Sequence, residues 1–117
     1  VNISTEVIHR DLAQLIAEKC YAVGAKHVLV ELSDPRLGKS RLTLSSKGNL
    51  SYVPKHLTVK YDELVAERGA NLKLIGSEDP NVLEDADPTD VNQVRLHQRL
   101  ALQHFYDEGI GRSKVHW

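Results

Sequence analysis

The segment IGSEDPNVLEDADP, residues 75–88, holds the densest group of side chains that could do chemistry in this sequence. Five carboxylates fall between Glu78 and Asp87, and Asp90 follows just beyond them. Clustered carboxylates bind hard divalent cations, and paired carboxylates act as general acid and base. Aspartate also caps helices and turns chains, so the spacing has to decide between chemistry and architecture.

The spacing favours architecture. Asp-Pro pairs begin at Asp79 and Asp87, and an N-cap aspartate followed by proline is typical of a helix start. We therefore predict that Asp79 caps a short helix over residues 81–85 and that Asp87 caps a long helix. Asp90 then lies in the first turn of the long helix, where the helix dipole favours a negative charge. The glycine and closing glutamate of an EF-hand loop are absent, and a metal or catalytic site stays the alternative.

Other catalytic motifs are not found. The sequence contains no HExxH, CxxC or GxSxG, and no GxGxxG follows the first predicted strand. Residues 38–40, Gly-Lys-Ser, lack the upstream glycine of a phosphate-binding loop. Cys20 lies on the apolar side of a predicted helix, which favours a place in the core. We predict no catalytic residue and no metal ligand in this chain.

The elements that must position any site alternate between strands and helices. Strands are predicted at 1–5, 27–32 and 71–75, with a weaker one at 41–45, and helices at 6–23, 56–68 and 88–106. Residues 27–32, HVLVEL, form the nearly continuous apolar run of a buried parallel strand. The pattern predicts an α/β fold: one Rossmann-like layered domain over residues 1–117, with a mostly parallel sheet flanked by helices.

The carboxyl ends of the predicted strands give the remaining site candidates. Ligands of open α/β sheets bind in the crevice beyond these ends. The polar residues that follow the strands there are Ser4, Ser33, Ser77 and Glu78. We expect them to line such a crevice, although polar residues follow strands in most folds of this class.

Composition narrows the choice of partners. The formal net charge is −1 and the isoelectric point is near 6.6, so neither nucleic acid nor an anionic membrane is an expected partner. No apolar run approaches the roughly 18 residues of a membrane-spanning helix. The single cysteine has no partner for an intrachain disulfide, which favours the cytoplasm.

Three segments together resemble a known family. They are CYAVGAKHVLVELSD (20–34), GANLKLIGSEDPNVLEDADP (69–88) and the end of the chain, with YDEG at 106–109 and VHW at 115–117. These residues resemble the N-terminal part of the thermophilic-type metallo-aminopeptidases, the aminopeptidase T, aminopeptidase S and PepS enzymes of bacteria. The resemblance covers essentially the whole chain, is sharpest over residues 70–90 and is weakest over 39–55.

The resemblance implies a cytoplasmic, homodimeric exopeptidase that removes N-terminal residues from peptides. It implies two divalent ions, cobalt, zinc or manganese, held by a C-terminal catalytic domain whose ligand motifs do not occur here. The chain contains no methionine and opens on a predicted strand, so we expect a fragment of a longer two-domain chain that lacks its first helix. Its expected role is non-catalytic: to wall the substrate chamber or to pack in domain and dimer contacts.

Two further hypotheses belong to other classes of protein. One is a stand-alone Rossmann-like module that binds a small anionic ligand at Ser4, Ser33 and Ser77. The other is an interaction domain that binds no ligand and associates through exposed apolar surface.

Overall fold

The computed structural model describes residues 1–117. The strands are β1 (Asn2–Glu6), β2 (Leu29–Ser33) and β3 (Asn71–Lys73). The α-helices are α1 (Arg10–Ala22), α2 (Pro35–Leu44), α3 (Lys55–Ala66) and α4 (Pro88–Ala101). Short 3₁₀-helices lie at Val7–His9 and Lys47–Ser51, and a π-helix lies at Phe105–Ile110. None of these helices has both the length and the apolar character needed to cross a membrane.

The sheet has three parallel strands in the order β2-β1-β3, so β1 is central. Ile3 of β1 is paired with Val30 on one side and with Leu72 on the other. Helix α1 packs on the face that carries Ile3, and its Ala13 is fully buried there. The predicted α/β fold with a parallel sheet and flanking helices is confirmed.

Helix α3 lies over the opposite face of the sheet. Glu31 follows Val30 in β2, so its side chain points away from α1. The ammonium of Lys60, on α3, lies 2.5 Å from the Glu31 carboxylate. A second apolar cluster joins α3 to the end of the chain through Val65, Phe105 and Val115. Helix α3 therefore flanks the face of the sheet opposite α1.

The strand predicted at 41–45 is wrong, because these residues belong to helix α2 and to its C-cap, Ser45. Asp34 is the N-cap, with its carboxylate accepting a hydrogen bond from the Arg36 N–H, and Pro35 is the first helical residue. The alternation of leucines does not reflect a buried face, since Leu44 is 83% exposed. Asp34-Pro35 is thus a helix start of the same kind as Asp87-Pro88.

Two of the predicted helices, the short one at 81–85 and the long one at 88–106, also differ from the structure. Residues 80–85 form consecutive turns, with hydrogen bonds such as Glu84 N–H to the Asn81 carbonyl, and do not form the predicted short helix. The long helix ends at Ala101 rather than at 106, and a π-helix follows over Phe105–Ile110. Near the end of the chain, His116 forms one parallel bridge with Ala70.

Candidate functional site

A polar crevice of about 530 Å³ opens at the carboxyl edge of the sheet. Its lining comprises the ends of the three strands and the loop after β3: Ser4, Thr5, Glu6, Ser33, Lys73, Leu74, Ile75, Gly76 and Ser77. Only Leu74 and Ile75 are apolar. The position and size are those of a ligand site in an open α/β sheet.

The structure brings three of the four predicted site residues together. Ser4, Ser33 and Ser77 all line the crevice. Glu78 does not line it, although its backbone N–H donates a hydrogen bond to Glu6 Oε2 at 3.2 Å. Whether the three serines contact a ligand stays a prediction.

Strand register explains which side chains share the crevice. Ser4 is paired with Lys73 in β3, and Glu6 is paired with Ser33 in β2. Paired residues of neighbouring strands point to the same face, and so do residues two apart on one strand. Ser4, Glu6, Ser33 and Lys73 therefore project from the face of the sheet that lies opposite α1.

Few of the polar groups in the crevice are satisfied within the chain. The Ser33 hydroxyl donates to the Thr5 carbonyl at 3.2 Å, whereas the hydroxyls of Ser4 and Ser77 make no hydrogen bond. Lys73 forms no ion pair. Groups left in this state are usually satisfied by ordered water or by a bound molecule.

Gly76 determines the conformation of the loop that lies over the crevice. Gly76 has φ +148°, a conformation that side chains with a Cβ adopt only under strain. A Cβ built on Gly76 would lie 2.9 Å from Nε2 of His9, the last residue of the first 3₁₀-helix. His9 thus packs directly on the loop that carries Ser77.

A neighbouring cavity of about 350 Å³ contains Glu78, together with Asp34, Arg36 and Asp79. Arg36 Nη2 lies 2.9 Å from Asp34 Oδ2. Hydrogen bonds from the Arg36 side chain and backbone lower the pKa of Asp34 below its ordinary 3.8. The Asp34 carboxylate already accepts hydrogen bonds from the Arg36 backbone and side chain, so it is a poor candidate for proton transfer.

The acidic residues in and just after segment 75–88 mostly have structural roles. Asp87 is the N-cap of α4, and its carboxylate accepts a hydrogen bond from the Thr89 N–H at 2.9 Å. Asp79 accepts one from the Asn81 N–H at 3.0 Å, which closes a turn and starts no helix. Asp90, in the first turn of α4, lies 3.6 Å from the Lys47 ammonium.

A metal ion does not fit these residues. Within residues 1–117, no three side chains of His, Cys, Asp or Glu are grouped so that they could hold one. The charged groups of the crevice are the ammonium of Lys73, which does not coordinate metal, and the single carboxylate of Glu6. No step of a metal-dependent reaction is therefore derived from this chain.

Sequence reasoning missed Lys73 and Glu6 as members of the site. Both lie within predicted elements, and only the register between strands shows that they face the same crevice as Ser4. The alternation Leu72-Lys73-Leu74 was a usable signal, because a lysine between apolar residues of a strand points to the opposite face.

Fold and crevice define a layered α/β domain with a parallel sheet. Comparison with known proteins gives its family. The family model described as thermophilic metalloprotease (M29) matches residues 1–117. The chain therefore belongs to the M29 family of thermophilic metalloproteases.

Individual relatives agree with this assignment. The chain is 31% identical to aminopeptidase AmpS of Bacillus subtilis over 117 residues, which is all of this chain and 28% of that protein. It is 26% identical to aminopeptidase PepS of Streptococcus thermophilus over 88 residues, 75% of this chain and 21% of that protein. The structure of wild-type AmpT from Thermus thermophilus superposes with a TM-score of 0.81 at 27% identity, covering 92% of this chain and 27% of AmpT. The chain thus spans less than a third of the length of these relatives.

Proposed function

We propose that this chain is the N-terminal, non-catalytic domain of a metal-dependent aminopeptidase that removes N-terminal residues from peptides. The family match along all 117 residues supports the parent enzyme, as do the names of the relatives. The observation that supports the non-catalytic role is that no three His, Cys, Asp or Glu side chains are grouped to hold a metal ion in a chain of a metalloprotease family. The two divalent ions, cobalt, zinc or manganese, are then bound by residues of the parent outside this segment. The parent is a cytoplasmic homodimer in this proposal.

Exposed apolar side chains on α1 support a packing role for the domain. Leu12 and Leu15 are three residues apart on α1, so they lie on one side of the helix axis, and Ile8 lies just before them in the 3₁₀-helix Val7–His9. They are 48%, 63% and 52% exposed, in that order. An apolar stripe of this kind is typical of an interface. We propose that the catalytic domain of the same chain covers it.

Metal binding and hydrolysis together test the proposal. Calorimetric titration with cobalt and zinc, and release of a chromophore from leucyl and arginyl substrates, are measured on the 117-residue chain and on the full-length protein that contains it. We expect metal-dependent, chelator-sensitive turnover by the full-length protein, and neither tight metal binding nor turnover by the 117 residues. Stoichiometric metal binding with turnover by the 117 residues would contradict the proposal and would return Glu78 to Asp90 to the candidate ligands.

A pair of matched variants tests the packing role. Leu15→Ser removes the most exposed of the three stripe residues, and Leu44→Ser removes a leucine of α2 that is 83% exposed and lies outside the stripe. In the full-length protein we expect Leu15→Ser to lower the thermal midpoint and Leu44→Ser to leave it nearly unchanged. Equal effects of the two substitutions would contradict a specific interface on α1.

The alternative function is a stand-alone α/β binding module without enzymatic activity. The polar crevice at Ser4, Ser33 and Ser77 favours it. The two functions differ in the full-length protein, because a binding module hydrolyses none of the chromogenic substrates at any metal concentration.

A further inference from the structure

The crevice at the carboxyl edge carries two charges of opposite sign, neither of them in an ion pair. Lys73 and Glu6 both line it, and neither forms a salt bridge within the chain. The only hydrogen bond of the Glu6 carboxylate comes from the Glu78 N–H, which leaves Oε1 free. A charged group left open in this way is available to a ligand.

The Cα atoms of the two charged residues are separated by about the length of a small molecule. Lys73 is paired with Ser4, and Glu6 lies two residues further along β1. Neighbouring strands are about 4.8 Å apart and two residues span about 6.6 Å, so the Cα atoms of Lys73 and Glu6 are about 8 Å apart. Their side chains point to the same face, and a ligand can lie between the ammonium and the carboxylate.

The charge balance selects the class of ligand. A lysine with several hydroxyls, taken alone, fits any small anion, phosphate included. Glu6 opposes that choice, because its negative charge repels a doubly charged anion bound a few ångströms away. A molecule with a carboxylate at one end and an ammonium at the other matches both charges. An amino acid or a short peptide has this pattern.

We propose that this crevice binds the zwitterion of a free amino acid or short peptide. Lys73 binds the carboxylate, with the hydroxyls of Ser4 and Ser77 as additional donors, and Glu6 binds the ammonium. The loop at Gly76 places Ser77 over the ligand. The inference goes beyond the proposed function, because it assigns a ligand to this segment and involves no catalytic step.

Amide chemical shifts of the ¹⁵N-labelled 117-residue chain, titrated with leucyl-leucine, test this site. We expect saturable shifts at residues 4, 6, 33, 73 and 77, and weaker binding of N-acetyl-leucyl-leucine and of leucyl-leucine amide, each of which lacks one charge. Inorganic phosphate serves as the anion probe and binds more weakly than leucyl-leucine. If the isolated chain gives a poorly dispersed spectrum, residues 1–117 are labelled segmentally in the metal-free full-length protein.

Three variants separate the roles of the two charges. Lys73→Met keeps the aliphatic stem, and Glu6→Gln keeps an oxygen that can accept the Glu78 N–H. We expect each to weaken leucyl-leucine binding about fivefold, the effect of one partly exposed ion pair. Lys26→Met, in the exposed turn at the opposite edge of the sheet, is the matched control and leaves the affinity unchanged.

Two results would overturn the proposal. One is the absence of shifts at the crevice amides up to roughly 10 mM leucyl-leucine, a range in which even millimolar affinity saturates. The other is tighter binding of phosphate than of leucyl-leucine, strengthened by Glu6→Gln, which identifies an anion site. Hydrolysis by the full-length protein is measured separately, so failure of this inference leaves the proposed function standing.

Discussion

Nε2 of His9 lies 3.2 Å from the carbonyl oxygen of Gly76 and joins the start of α1 to the loop over the crevice. The two residues are 67 apart in sequence. Their contact is close because Gly76 has no Cβ, and its φ of +148° turns the chain over the imidazole. The position of the crevice loop therefore depends on a glycine.

Replacement of Gly76 should lower the stability of the fold. Gly76→Ala introduces a Cβ that meets His9 Nε2 at 2.9 Å and forces alanine into a strained backbone conformation. We expect a loss of about 1–3 kcal/mol in the free energy of unfolding. Urea denaturation measures it, and amide shifts at Ser77 and Glu78 report the displaced loop.

Two other glycines provide controls for that substitution. Gly24 has φ +100° with open space around it, so Gly24→Ala measures backbone strain without the contact. Gly38 lies inside α2 with no neighbour within 4 Å, and Gly38→Ala should stabilise by about 0.5–1 kcal/mol. A Gly76→Ala protein as stable as the unsubstituted chain would contradict the importance of the His9 contact.

Asp79 and Asp87 should contribute differently to the free energy of unfolding. Asp87→Ala removes the N-cap of α4 and should cost about 1 kcal/mol. Asp79→Ala removes only an exposed turn contact and should cost less than about 0.5 kcal/mol. Asp87→Asn keeps the capping oxygen and should remain close to the unsubstituted protein in urea denaturation. Equal costs at positions 79 and 87 would show that the distinction between cap and turn is wrong.

Acid titration should reveal the ion pair at the end of the chain. The Lys114 ammonium lies 2.6 Å from Glu108 Oε2, and this hydrogen bond is the main reason that the pKa of Glu108 is lowered from 4.5. A lowered pKa in the folded state stabilises the protein above pH 4.5, and that stability is lost as the pH falls through the folded pKa. Lys114→Met should raise the pKa of Glu108, as followed by carboxyl ¹³C shifts.

The stability of Lys114→Met should converge with that of the unsubstituted chain at acid pH. We expect a difference in the free energy of unfolding at pH 6 that shrinks as the pH falls below 4.5 and through the lowered pKa of Glu108. Arg112→Met is the milder comparison, because Arg112 acts on Glu108 from 3.4 Å and is the weaker cause of the pKa shift. A difference that stays constant with pH would rule out the ion pair as its source.

The rings of Tyr61 and Phe105 should be energetically coupled. Their centroids are 4.6 Å apart at an interplanar angle of 54°. A double-mutant cycle of Tyr61→Leu and Phe105→Leu should give a coupling energy of about 0.5–1.5 kcal/mol. Tyr52 is 67% exposed, and the cycle of Tyr52→Leu with Phe105→Leu should be additive within about 0.5 kcal/mol. Additivity in both cycles would show that the ring contact contributes nothing specific.

The sequence predicted the sheet well because its strands carry strong apolar runs. The run from His27 to Leu32 and the strand after Ala70 were both found, although β2 is shifted by one or two residues and β3 is shorter than predicted. The strand prediction for residues 41–45 is wrong because a short alternation of leucines is a weaker signal than the Asp34-Pro35 helix start. Capping chemistry was the better signal there, as it was at Asp87.

The crevice was only partly predictable. The rule for carboxyl ends of parallel strands depends on order along the chain, so it pointed to Ser4, Ser33 and Ser77 without a structure. Lys73 and Glu6 depend on which face each strand presents to its neighbour. The alternation Leu72-Lys73-Leu74 shows that Lys73 lies opposite the two leucines, but which strands share its face follows from the pairing of residues distant in sequence.

The central place of β1 also bears on how the chain is made. Its partner β2 is synthesised within about 30 residues of β1. The other partner of Asn2, Asn71, is synthesised 69 residues later. At about 5–20 residues per second, ribosomal synthesis leaves that edge of β1 open for about 3–14 s. An open strand edge is a template for pairing with other chains. Strand β3 has only three residues, yet its pairing with β1 closes that edge to other chains.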